Sequence, residues 1–136
     1  MEPILHLLAP LPNFLAYLGS AFALLVLFAV LYTAVTPQAE WKMLREGNVS
    51  AALAFGGALL GFTLPLASAI AHSVSLLDMV LWGLVALVVQ LVAFFVAWAV
   101  LRKLPSQIEQ DHRGVATIAA IFFLCAGLLN AACLTW

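Results

Sequence analysis

Charge is what this chain has least of. Eleven of its 136 residues are Asp, Glu, Lys or Arg, or 8%, and 66% are apolar. An average soluble domain carries about 25% charged residues and roughly 45–50% apolar ones. Mean hydropathy is +1.17. A small soluble fold leaves much of its surface facing water, so it has nowhere to hide this much apolar area. The scarcity of charge therefore excludes a soluble enzyme, a nucleic-acid binder and a disordered chain. An integral membrane protein remains.

The sequence also lacks the usual chemical signatures. It has no phosphate loop, dinucleotide fingerprint, nucleophile elbow or paired zinc motif. His6, His72 and His112 are too scattered to form a ligand set. Cys125 and Cys133 lie eight residues apart, about 12 Å along a helix axis, too far for a mutual disulfide; they read as small packing residues. The reading is no catalytic residue, no cofactor, no metal and no enzyme.

Four uncharged stretches stand between the charges: 3–39, 47–77, 79–101 and 114–136. About 20 apolar residues cross a hydrocarbon core of ~30 Å. The runs are more than twice the ~10 residues of a barrel strand and do not alternate. The expected fold is all-α: one integral membrane domain over 1–136, a four-helix transmembrane bundle with spans near 13–35, 49–71, 79–101 and 114–135. The pattern of span, basic connection, span occurs twice and suggests a two-helix tandem repeat. Laying 49–68 over 115–134 pairs Val49 with Val115, Ala54 with Ala120 and Gly61 with Gly127.

All five basic residues fall in two connections: Lys42 and Arg45 in the first, Arg102, Lys103 and Arg113 in the third. The positive-inside rule makes that side cytoplasmic and puts both termini outside, in the periplasm of a bacterium. Trp41, Trp82, Trp98 and Trp136, with Tyr17 and Tyr32, are expected near the headgroup levels. The first dozen residues have Glu2 and three prolines and no basic region, so they do not read as a signal peptide, and the first helix is expected to be retained. Thr36-Pro37 signals a short helix in the first connection, and Ser106-x-x-Glu109 reads as a capping box in the third. His72 and Asp78 are close in sequence, where a pH-sensitive pair competes with a plain solvated loop.

The polar and small residues within the spans are the remaining candidates. Gly57-x-x-x-Gly61, repeated as Gly127 and Ala131, allows close helix approach. Pro65 withdraws a donor from the carbonyl of Gly61, with Thr63 or Ser68 placed to help satisfy the polar groups there. Gln90, Thr63, Ser68 and Asn130 are the intramembrane polar residues. They serve either as hydrogen-bonding ties between helices or as the lining of a path.

Thr36-Pro37 with Glu40-Trp41, the stretch from Ser50 to Ala69 (SAALAFGGALLGFTLPLASA), Ala86 to Leu91 (ALVVQL) and the terminal Asn130 to Trp136 (NAACLTW) resemble the YjfL-like family of bacterial inner-membrane proteins, a domain-of-unknown-function family. The resemblance implies a four-helix protein of the bacterial inner membrane and supplies no catalytic residues. Family members often lie beside envelope-stress genes, which implies a non-enzymatic part in envelope maintenance or membrane-stress response. The alternative is a small oligomeric channel or transporter for ions or small solutes. Expected partners are the lipid bilayer, further copies of the chain, or a membrane or envelope-stress protein, and no nucleic acid.

Overall fold

The computed structural model describes residues 2–35, 40–101 and 104–134, with the side chains of Glu40 and Pro105 excepted. It contains seven helices among these residues: α1 (Glu2–Leu8), α2 (Leu11–Val35), α3 (Glu40–Arg45), α4 (Val49–His72), α5 (Leu76–Val100), α6 (Leu104–Glu109) and α7 (Arg113–Cys133). Four helical stretches, 2–35, 49–72, 76–100 and 113–133, are long and apolar enough to cross a membrane. The fold is the expected all-α four-span bundle. Thr36, Pro37, Arg102, Lys103 and Trp136 lie outside the described residues.

The helix ends have local causes. Asn48 caps α4, its side-chain oxygen accepting from the Ala51 N–H at 2.9 Å. Ser75 caps α5 by accepting from the Asp78 N–H, and Asp78 in turn accepts from the Val74 N–H. Asp78 therefore belongs to the first turn of α5, where a carboxylate suits the helix dipole. That is why this span starts at Leu76 rather than at 79. The hydrogen bonds of Asp78 go to this cap, and His72 Nδ1 lies 2.9 Å from the Ser68 carbonyl. The Ser106-x-x-Glu109 capping box does not form, because α6 already begins at Leu104. Proline is tolerated in a first turn, where its missing N–H is not needed.

The two short helices of the basic connections, α3 and α6, end alike. After α3, the N–H of Gly47 donates to Leu44 O and that of Asn48 to Met43 O. After α6, the N–H of Asp111 donates to Ile108 O and that of His112 to Gln107 O. Both are Schellman closures, with Gly47 at φ 79° and Asp111 at φ 55° in the left-handed position. The tandem order is thus span, short helix, left-handed residue, span, twice. Gly47 matches Asp111, and Asn48 matches His112. This register differs by two residues from the one that pairs Gly61 with Gly127.

The core is aromatic on the side of the short helices. Phe28 stacks on Phe62 with centroids 4.8 Å apart, and Tyr32 meets Phe55 and Phe94 edge-on at 5.6 and 5.1 Å. Tyr32 is completely buried. Cys125 and Cys133 are exposed on α7, so they do not pack inside the chain.

Candidate functional site

The α4–α7 pair forms the closest helix contact in the bundle. The two helices run parallel: Gly57 faces Ala120, Gly61 faces Phe123 and Gly127, and Ser68 faces Ala131. A Cβ on Gly57 would lie 2.6 Å from Ala120 Cα. One on Gly61 would strike the Phe123 carbonyl and lie 2.5 Å from Gln90 Nε2. One on Gly127 would strike the Gly61 carbonyl and lie 2.8 Å from Gly61 Cα. Neighbouring backbone fills the space a side chain would need, and such approach gives dispersion contacts that lipid cannot match.

Pro65 explains the Gly61–Gly127 contact. Proline has no N–H to donate to the carbonyl one turn earlier, that of Gly61. This carbonyl oxygen faces the Cα of Gly127, a geometry suited to a weak Cα–H···O interaction. Neither Thr63 nor Ser68 serves that carbonyl. The Thr63 hydroxyl donates back to Leu59 O at 2.7 Å, and the Ser68 hydroxyl donates across to Ala131 O at 2.9 Å.

Three side chains tie α4, α5 and α7 through backbone carbonyls. Ser68 supplies the first tie. Gln90, 1% exposed, donates Nε2–H to Phe123 O at 2.9 Å. Asn130, 8% exposed, donates Nδ2–H to Ala86 O at 3.3 Å. Gln90 Oε1 is buried and accepts no hydrogen bond among the described residues. Thr63 does not join this group: it is exposed and turned toward α2. Ala131 is half-buried, and Gly57, Gly61 and Gly127 are buried.

A second polar cluster closes the end of the bundle bearing the short helices. Asp111 Oδ1 accepts from both the N–H and the hydroxyl of Ser50, at 2.9 and 2.7 Å. Asn48 Nδ2–H donates to Ile108 O at 3.1 Å. The third connection thus caps the N-terminus of α4 and fastens the two halves together. The hydrogen bonds from Ser50, with the Arg113 guanidinium 3.5 Å away, hold the Asp111 carboxyl below its ordinary value of 3.8, against a smaller opposing effect of burial. Lys42, Arg45 and Arg113 are exposed. Gly47 was the only legible signal of these closures, as a glycine able to adopt the left-handed conformation. Nothing in the sequence marks Asp111 as a partner of Ser50, 61 positions away.

The depressed Asp111 pKa gives a prediction. Its contribution to stability is full above pH 3.8 and is lost as pH falls through the lower folded-state value. The variant Asp111→Asn keeps a residue that tolerates the left-handed backbone. It should melt below the wild type at pH 7, and the gap should close under pH 3.8. A gap unchanged at pH 3 would remove the carboxylate from the account.

Compared with known families, residues 6–134 match the family model described as Domain of Unknown Function (DUF350). The chain is 36% identical over 132 residues to the UPF0719 inner membrane protein YjfL of Escherichia coli (strain K12), covering 97% of this chain and 100% of that protein. It is 33% identical over 115 residues to the UPF0719 transmembrane protein YshE of Bacillus subtilis (strain 168), covering 83% of this chain and 84% of that one. No solved structure matches it.

Proposed function

The chain belongs to the DUF350 family, and from that premise we propose that it is a non-enzymatic, multi-pass component of the bacterial inner membrane. Its part is envelope maintenance, exercised by holding partner proteins or further copies of itself. The observation that supports this reading is how the interior polar groups are used. Gln90, Asn130 and Ser68 each bind a carbonyl of a neighbouring helix, and backbone occupies the notches at Gly57, Gly61 and Gly127. Among the described residues these groups are spent on hydrogen bonds that tie neighbouring helices together. The surfaces left for partners are the lipid-facing helix faces and the basic connections. Lys42, Arg45, Arg102, Lys103 and Arg113 there would attract anionic lipid or acidic protein.

One observation favours a second reading, a small channel or transporter formed by several copies. Gln90 Oε1 is a buried acceptor within a span that takes no hydrogen bond among the described residues. Flux separates the two. Purified protein in liposomes, under gradients of potassium, chloride or glycerol, should pass no more solute than empty vesicles. Flux above that level, altered by Gln90→Leu, would replace the scaffold reading with the channel.

The orientation has its own test. Reporter fusions in the connections at Arg45 and Glu109 should report the cytoplasm, and fusions at both termini the periplasm, because every basic residue lies in those two connections. A terminus found in the cytoplasm would invert the assignment of the basic face.

A further inference from the structure

One side of α2 does not close against α4. Between them runs a groove of about 160 Å³ lined by Leu18, Ala21, Phe22, Leu25, Leu66 and Ala67, with Thr63 and Ile70 at its edge. A second hollow of about 120 Å³ shares Leu18 and Ile70 with it and continues past Tyr17 to Phe14. We infer that this groove is a binding site for one acyl chain of a phospholipid, in the leaflet on the side of the N-terminus.

Four features select that occupant. The groove lies between two helices long enough to span the membrane, so hydrocarbon is the medium at its mouth. Its length fits: eleven residues from Phe14 to Leu25 rise about 16 Å, and one leaflet of a ~30 Å hydrocarbon core is about 15 Å deep. The small side chains of Ala21 and Ala67 make the hollow, and the stacked Phe28–Phe62 pair stands at its midplane end. The hydroxyl of Thr63 is turned back to Leu59 O, and the remaining hydroxyl, the phenol of Tyr17, lies in the second hollow toward the N-terminal end, so the deeper part of the groove offers a polar solute no donor.

The test is lipid retention. Protein reconstituted in vesicles of phosphatidylethanolamine and phosphatidylglycerol, then re-extracted in mild detergent, is weighed by native mass spectrometry. The wild type should keep one phospholipid per chain. Ala67→Phe, which fills the hollow from an exposed position, should lower that occupancy roughly tenfold. Val88→Phe, exposed on α5 away from the groove, should leave it unchanged. No retained lipid on the wild type, equal loss in both variants, or full retention in Ala67→Phe would each overturn the inference. So would a dimer that Ala67→Phe converts to monomers without changing the lipid, which would assign the groove to a second copy. Ala21→Phe, approaching from the opposite wall, repeats the test should Ala67→Phe fail to fold.

Discussion

Gly127→Ala is expected to lower the stability of the bundle by about 1–3 kcal/mol or more, the range for inserting a methyl into a packed interior. The methyl would strike the carbonyl of Gly61, and Gly61 Cα lies 2.8 Å from it. Backbone cannot rotate aside as a side chain can, so α4 and α7 would have to separate along the seam. Two other glycines calibrate the result. Gly56 has nothing within 4 Å of its missing Cβ, and Gly56→Ala should be neutral or stabilising, by up to about 1 kcal/mol of helix propensity. A Cβ on Gly83 would lie 2.7 Å from Leu24 Cδ1, the tip of a flexible side chain on α2. Gly83→Ala should therefore cost less than Gly127→Ala, and Gly61→Leu more than Gly83→Leu. Thermal unfolding in one detergent ranks the set. Equal losses at Gly127 and Gly56 would show that helix propensity, not close approach, governs these positions.

Gln90→Ala should be the second severe change, and Gln90→Leu a mild one. Both variants remove the hydrogen bond to Phe123 O, worth about 1 kcal/mol. Both also remove the buried Oε1, which accepts nothing among the described residues, and that offsets part of the loss. Leucine keeps most of the volume and prefers an apolar surrounding. Alanine leaves a void beside Gly61, where the closely packed backbones of α4 and α7 resist collapse. Large-to-small core changes of this kind cost about 2–5 kcal/mol. Unfolding midpoints should thus fall in the order wild type, Gln90→Leu, Gln90→Ala. If Leu proves as damaging as Ala, the carboxamide hydrogen bond and not the packing would hold this point of the bundle.

Much of the architecture was legible because a membrane makes unusually blunt demands. A span must be long, helical and uncharged, so eleven charged residues sufficed to locate four helices to within a few residues. Gly57, Gly61 and Gly127 were legible as small residues for the same reason: only a missing side chain permits close helix approach. The apolar pattern said little about which way each residue faces. Lipid and protein interior are equally apolar, so the amphipathic signal that orients a helix in a soluble protein is weak here. Thr63 and Gln90 looked alike in sequence, yet one faces a groove beside α2 and the other is buried against α7. Cys125 looked internal and is exposed.

By itself, then, the sequence determined the number of spans, the membrane as solvent, the side that gathers the basic residues, and the residues small enough for a seam. These follow from composition and local order along the chain, because the cost of charge and of unpaired backbone in hydrocarbon acts on each segment separately. The tertiary structure alone decided the partners: Gly61 with Gly127, Gln90 with the Phe123 carbonyl, Ser50 with Asp111. Those contacts join positions 33 to 66 residues apart, and their geometry depends on the rotation of each helix about its axis. That rotation is set by packing among all four spans at once, to which no single segment holds the key.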